Sequence, residues 1–294
     1  MITTGLLIWK KKAVVSRGLD AQRRRGLEGI AFCFLFICYL LLFLYYDIVK
    51  QVLQERNNML LGVNIDHVAT LRNARGGNEP DVLTAARICK ECQVASITTH
   101  LREDRRHIKD ADVEAIRMLP RVRLNLEMAM TDEMQEIALR LRPHAVCIVP
   151  EKRQELTTEG GLDVEGQLSR AIEFVKPLLA KNIEVSFFID PDIQQINAVS
   201  KTGAPFIELH TGRYSEAFGT LEEEKAFNDL KGAAIFAQNF GLKVNAGHGL
   251  NYQNVKRMHE IPNLYELNIG HSIIARSIFV GLEQAVKEMK SLVE

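Results

Sequence analysis

The chain has 294 residues, 47% hydrophobic and 25% charged, with 37 Lys and Arg balancing 37 Asp and Glu. This is ordinary globular composition, with room for one large domain or two small ones. Zero net charge argues against a nucleic-acid binder working by bulk electrostatics, and the five cysteines, Cys33, Cys38, Cys89, Cys92 and Cys147, are too few and too irregular for a disulfide framework.

The charge balance is uneven along the chain. Residues 1–58 hold nine Lys/Arg against four Asp/Glu, a net of +5 that leaves −5 for the remainder. Within them 30-IAFCFLFICYLLLFLYY-46 is an unbroken apolar or aromatic run of 17 residues. As a helix it would span ~25 Å, slightly under the ~30 Å hydrocarbon core of a bilayer, and Ile48 and Val49 could extend it enough to cross. It is long for the apolar region of a signal peptide, and no small-x-small cleavage site follows. Seven Lys/Arg precede the run and only Lys50 and Arg56 follow before Met59, a bias that would keep the N-terminus cytoplasmic and export the rest.

From residue 59 onward, short β-branched runs alternate with amphipathic stretches, which predicts βα units and a parallel sheet. The predicted strands are 60-LLGVNID, 94-VASITTH, 122-VRLNLEM, 145-AVCIVPE, 183-IEVSFFID, 205-PFIELH, 242-LKVNAGH and 264-LYELNIGH. Helices are predicted near 80–92, 110–119, 131–142, 165–181, 191–202, 221–240, 251–259 and 272–291. Asp110 and Thr131 read as N-caps, with Glu133 in the first turn. Gly203 and Gly241 read as C-terminal caps. The close pair 89-CKEC-92 falls inside a helix, with no second pair to complete a zinc site.

Eight such units in residues 59–294 match a (β/α)8 TIM barrel. A doubly wound sheet is the structural alternative, but it would usually carry a glycine-rich dinucleotide turn, and no G-x-G-x-x-G occurs. Catalytic groups of the barrel fold sit at the C-terminal ends of its strands. Those ends carry Asp66-His67, His100, Glu127, Glu151, Asp190, His210, His248 and Gly270-His271. With His107 in the second loop, six of the eight histidines fall on that face; only His144 and His259 do not.

Strand interiors are polar as well. Asn64 and Asp66, Asn125 and Glu127, and Glu208 and His210 each share a face by period-two geometry, which predicts a polar, partly hydrated lumen. The second loop, 100-HLREDRRH-107, places Arg102, Arg105, Arg106 and His107 beside His100, and Arg72 and Arg75 join them from the first loop. Such a cationic rim suits phosphorylated small molecules, since guanidinium binds phosphate bidentately; pairing with Glu103 and Asp104 would account for part of it. In 245-NAGHGLNYQNV-255 and 268-NIGHSII-274, glycines let the backbone approach a ligand just before a helix begins, where free N–H groups bind anions. Glu127, His100 and His248 are acid–base candidates. No nucleophile elbow is present and no lysine ends a strand, although Lys152 follows the fourth. The pattern points to proton transfer between oriented substrates.

The motifs VNIDHVATLRNARG, THLREDRRHI, LNLEMA, VPEKRQELTTEGGLDV, PFIELHTGRY, GLKVNAGHGLNYQNV and ELNIGHSII resemble, in order, those of the pyridoxine 5′-phosphate synthase family. The resemblance runs from about residue 59 to the C-terminus. It implies a cytoplasmic homo-octamer of (β/α)8 barrels that condenses 1-deoxy-D-xylulose 5-phosphate with 3-amino-2-oxopropyl phosphate, releasing pyridoxine 5′-phosphate, phosphate and water without a metal or redox cofactor. It further implies acid–base roles for His100, Glu127 and His248 and charge stabilisation by Glu208. Asn64 would contact the amino-ketone phosphate. Asp66, His67, Arg75, Arg102, His107 and Thr157 would surround the deoxyxylulose phosphate, and Gly249, Gly270 and His271 would complete the second phosphate site. Thr157 comes from the resemblance alone. The loop 152-KRQELTTEGGLDVE-165 has the glycines and reach of a lid that keeps water from reactive imines.

Two other readings compete. A metal-dependent barrel lyase or hydrolase would also gather His, Asp and Glu at strand ends, though it usually needs H-x-H on the first strand, which here reads N-I-D-H. A membrane-anchored barrel that binds phosphates without turnover would use residues 30–46 as its anchor. The extension is where the chain departs from the family, whose members start a few residues before the first strand. An exported barrel would be parted from its phosphorylated substrates, so Met59 is the expected functional start.

Overall fold

Eight short parallel strands, each paired with its neighbours in sequence, close when the eighth hydrogen-bonds to the first. The computed structural model describes residues 59–151 and 160–294. The strands are β1 (Leu60–Asn64), β2 (Ser96–His100), β3 (Leu124–Met128), β4 (Ala145–Ile148), β5 (Glu184–Ile189), β6 (Phe206–His210), β7 (Lys243–Gly247) and β8 (Leu264–Ile269). The helices are α1 (Asp66–Arg75), α2 (Val82–Glu91), α3 (Asp110–Arg117), α4 (Asp132–Leu141), α5 (Leu168–Ala180), α6 (Ile193–Ser200), α7 (Gly212–Ala217), α8 (Glu223–Asn239), α9 (His271–Val280) and α10 (Leu282–Val293). The apolar run 30–46 and Thr157 lie outside the described residues. Among the described residues no helix is long and apolar enough to cross a membrane.

The (β/α)8 barrel is thus as the sequence predicts, and the differences are local. Strand ends that read as β in the sequence leave the sheet early. Asp66 opens α1, a helix whose polar exposed face gives it the sequence pattern of a loop. The short helix α7 is likewise absent from the predicted elements. The seventh unit carries a 3-10 helix, Val255–Glu260, in place of an α-helix, and the last predicted helix breaks at Gly281, whose φ of 83° takes the chain out of the helical region. Two caps need correction. Asp110 is the first residue of α3, with Lys109 at the cap position and the Asp112 carboxylate accepting the Lys109 N–H. Thr131 holds the cap position of α4 but makes no side-chain cap bond. The side chains that do cap are Asp81, accepting from Leu83 and Thr84, and Asp192, accepting from Gln194 and Gln195.

Alternation along each strand divides two interiors. Leu61, Val63, Leu124, Leu126, Val185, Phe187, Ile207 and Leu209 are fully buried in the apolar core beneath the helices. Their neighbours in the strands face the barrel axis and are polar: Ser96, Thr98, Asn125, Glu208, Glu266 and Asn268 are all buried. These groups satisfy one another. Ser96 donates to Glu266 at 2.6 Å, Asn268 Nδ2 to Glu208 at 2.6 Å, Thr98 to Asn268 Oδ1 at 3.0 Å and Asn125 to Thr98 at 3.3 Å.

Gly62 sits against this network from β1. A Cβ there would lie 2.2 Å from Asn268 Oδ1, 2.6 Å from Ser96 Oγ and 2.8 Å from Glu266 Oε1, all hydrogen-bonded atoms with little freedom to withdraw. Gly62→Ala should therefore destabilise the barrel by about 1–3 kcal/mol, the usual range for overpacking, as measured by denaturant unfolding. An unchanged midpoint would show that the lumen is loose enough to absorb a methyl group.

Candidate active site

The wall formed by β1 to β4 is laced together at its C-terminal rim. Asn64, the last residue of β1, donates through Nδ2 to Asp66 at 2.9 Å and to Glu127 on β3 at 3.3 Å. Its Oδ1 accepts the Asp66 N–H at 2.9 Å, which turns the chain into α1. Asp66 then accepts the His100 backbone N–H through Oδ1 at 2.8 Å, tying β1 to β2. The His100 ring is held in turn by Glu151, with Nε2 and Oε1 2.8 Å apart. His107 lies beside it, ring centroids 6.0 Å apart, and takes the Ile108 N–H on Nδ1.

Histidines line the opposite wall. The His248 ring packs 5.0 Å from that of His210 and 6.4 Å from Phe188, while His67 and His271 meet edge to face at 5.2 Å. His248 has a φ of 80°, rare for a residue with a side chain. The carbonyls of Gly247 and His248 both accept from Thr211 Oγ1, which pins this turn. Gly249 follows, also at φ 80°, and a Cβ there would come within 2.7 Å of Ser215 Cβ. Gly270 precedes α9; its carbonyl accepts the Ile273 and Ile274 N–H groups, which leaves those of His271 and Ser272 without an intrahelical acceptor.

Between the walls lies a cavity of about 520 Å³, within the usual range of small-molecule sites. Asn64, Asp66, His67, His100, Arg102, His107, Glu127, Glu208, His248, Gly249, Gly270 and His271 all line it. Arg75 does not: it stands on the exposed last turn of α1. Thr157 and most of the fourth loop lie outside the described residues.

The cationic rim is smaller than the sequence suggests. Arg72 is turned away into a bidentate pair with Asp112, at 2.7 and 2.9 Å. Arg105 is held by Asp110 and Glu133, and Arg106 by Asp104. Arg102, only 4% exposed, remains at the cavity wall. Local ion pairing, expected from the sequence for part of this rim, engages four of its arginines, Arg102 lying 3.7 Å from Asp104, and Arg106 shares the cavity wall with Arg102.

Burial sets the protonation of the acids. Glu127 is pushed well above the usual carboxylate range by loss of solvent and then by the nearby Asp66 and Glu208. Glu208 is pushed up to about 7 by burial, with the hydrogen bond from Asn268 opposing and Glu266 adding to the rise. Burial also raises Glu266 and the Cys147 thiol, which lies 3.8 Å from Glu208 Oε2. The imidazoles move the other way. Crowding by the protein, then His210 and His67, hold His248 down to about 4. Desolvation also lowers His67 and His107, against the pull of Asp66. The site thus sets carboxyls biased towards their protonated form beside imidazoles biased towards their uncharged form, a set able both to give and to take protons.

Asp66, His100 and His107 bring potential metal ligands within 4.8 Å of one another. Most of their atoms are already engaged: both Asp66 oxygens accept hydrogen bonds, His100 Nε2 faces Glu151, and His107 Nδ1 takes a backbone N–H. The cluster is arranged as a hydrogen-bond network. Asn268, the partner of Glu208, is not among the residues singled out from the sequence, although it stands two residues before Gly270 and period two would have placed it in the lumen. The pairing of His100 with Glu151 spans 51 residues and leaves no local signal.

The protein-family model described as pyridoxal phosphate biosynthesis protein PdxJ matches residues 61–294. The pyridoxine 5′-phosphate synthase of Photobacterium profundum is 55% identical over 234 residues, covering 80% of this chain and 96% of that protein. Among solved structures, 3-hexulose-6-phosphate synthase superposes with a TM-score of 0.55 at 16% identity, over 80% of this chain and all (100%) of that one. Thiamine phosphate pyrophosphorylase from Pyrococcus furiosus does so with a TM-score of 0.52 at 14% identity, over 81% and 96%. At such identities the structural likeness shows the fold alone.

Two measurements check the electrostatics. In an NMR titration the His248 ring should stay uncharged down to about pH 4, and His210→Gln should raise that midpoint by removing a neighbouring imidazole; a midpoint near 6.5 in the parent would refute the crowding. For Glu208 the sign follows from linkage. The unfolded chain releases this proton near 4.5 and the folded chain near 7, so the folded form holds more protons between those values and loses stability as pH rises through them. Glu208→Gln lacks this loss, so its stability relative to the parent should climb from pH 4.5 to 7 and then level off. A pH-independent difference in denaturant unfolding would place Glu208 in an ordinary carboxylate environment.

Proposed function

We propose that this chain, which belongs to the PdxJ family, is a pyridoxine 5′-phosphate synthase that condenses 1-deoxy-D-xylulose 5-phosphate with 3-amino-2-oxopropyl phosphate. The observation that carries the chemistry is the gathering around one cavity of Glu127, whose burial favours the protonated acid, with imidazoles whose burial favours the neutral ring. Imine formation, loss of water, elimination of phosphate and ring closure each move a proton between neighbouring atoms, and each positioned acid or base typically contributes ~10²–10⁴-fold.

Under this reading His100, Glu127 and His248 are the acid–base groups that move these protons. Glu208, fixed by Asn268 and Cys147 below the cavity, stabilises charge that develops in the transition state. Arg102, His107, His67 and Asp66 hold the sugar phosphate on one side. Gly249, Gly270, His271 and the start of α9 receive the second phosphate on the other, where Asn64 contacts the amino-ketone phosphate. Arg75 and Thr157 belong to this proposal by resemblance. Holding both substrates in one cavity adds an entropic advantage. The family resemblance also supports a homo-octamer working in the cytoplasm without a metal.

The function is tested by incubating the full chain with both phosphorylated substrates and measuring pyridoxine 5′-phosphate together with released phosphate. Synthesis should persist in excess chelator; its loss, and recovery on adding a divalent cation, would favour a metal-dependent enzyme built on Asp66, His100 and His107. Glu127→Gln should retain binding of the phosphorylated substrates while turnover falls by ~10²-fold or more. Near-normal turnover in that variant would remove Glu127 from the acid–base set.

A further inference from the structure

Glu151 follows β4 and has no part in the roles above. Its side chain is 6% exposed and that of His100 7%, and the two meet at 2.8 Å through Oε1 and Nε2. The second carboxylate oxygen accepts the Glu103 N–H at 3.0 Å, which fixes the carboxylate plane from the far side. The His100 backbone is fixed independently by Asp66. Ring and carboxylate are therefore both held, and neither needs to move for them to stay bonded.

Burial alone would raise Glu151, but the hydrogen bond and charge of His100, the Glu103 N–H and Arg102 outweigh it and hold the acid below its usual value. An ionised carboxylate accepts hydrogen bonds and cannot donate them. The hydrogen on Nε2 must then belong to the ring, and a neutral imidazole with Nε2–H has its lone pair on Nδ1. His100 lines the cavity and Glu151 does not.

We infer that Glu151 is a positioning residue that locks His100 in the Nε2–H tautomer, so that Nδ1 is the nitrogen that takes protons from substrate. This rests on the acid–base role proposed for His100. When Nδ1 accepts a proton, the imidazolium is balanced by the adjacent carboxylate. When the proton is returned to a departing hydroxyl, the ring reverts to the same tautomer without rotating. Glu151 touches no reacting atom; it acts through the ring.

The competing account is that Glu151 merely clips the second loop through Glu103. The two are separated with full-length chain carrying ¹⁵N-labelled histidine. In the parent, His100 should show a protonated Nε2 and an unprotonated Nδ1. In Glu151→Gln, whose amide is able to donate or accept, this signature should weaken or invert. The same variant should lose ~10²-fold in kcat with KM nearly unchanged, and the acid limb of its rate–pH profile should move to lower pH because the imidazolium has lost its counter-charge. Glu151→Ala should do the same if it folds; the isosteric Gln variant decides if it does not. An unchanged His100 signature in Glu151→Gln, or a change confined to thermal stability and KM, would overturn the inference. If His100→Ala sustains synthesis, the acid–base reading of His100 is the part that fails, and the NMR signature still decides what Glu151 does to the ring.

Discussion

A closed barrel must fill its own axis, and here the axis is filled with polar groups. Glu127, Glu208 and Glu266 are placed where water is scarce, and an isolated carboxylate in such a place neutralises before it ionises. The direction of their pKa shifts follows from this one constraint. So does the hydrogen-bonded filling around them, since every donor supplied by Ser96, Thr98, Asn125 or Asn268 offsets part of the desolvation. The raised carboxyls are thus a consequence of how the lumen is built. The apolar core lies elsewhere, between the outward faces of the strands and the helices, which frees the axis for chemistry.

Closure also decides which side chains can meet. Asp66 bonds the His100 backbone across β1 and β2, Glu151 reaches past β3 to the His100 ring, and Asp190 after β5 bonds the His210 ring at the end of β6. His100 and His210 are therefore each held by a carboxylate from a different strand end. His210 stands behind His248 rather than at the cavity surface, and its Nε2 has no hydrogen-bond partner among the described residues. Its ring acts on the site through contact with His248.

The strand count, the polarity of the barrel and the clustering of six histidines were legible because they depend on period two and on which end of a strand a residue occupies, both local properties of the sequence. The candidate acids were legible for the same reason: Asn125–Glu127 and Glu208–His210 alternate with aliphatics in plain view. Pairing across the sheet was not. Arg72 reads as a phosphate ligand from its place beside Arg75, yet its carboxylate partner lies 40 residues on, at Asp112. α1 is hidden because a short helix with a polar face has the composition of a loop. His248 in the left-handed region is beyond any propensity argument; it is imposed by the Thr211 hydroxyl and by Gly249.

The left-handed turn at His248 bears on how the site is tuned. A residue with a side chain in that region is strained, and such strain persists where surrounding contacts over-determine the conformation. Thr211 Oγ1 bonds two successive carbonyls of the turn, and Ser215 leaves room for nothing larger than Gly249. The result is an imidazole pressed against His210 and within electrostatic reach of His67, where a positive charge would be opposed by both rings. On this geometry the His248 ring is uncharged at neutral pH. In the first wall the imidazole of His100 is held instead by the Glu151 carboxylate, 2.8 Å from Nε2. The two walls thus fix their histidines by different means: a buried carboxylate holds the ring of His100, whereas a left-handed turn and a neighbouring imidazole hold that of His248.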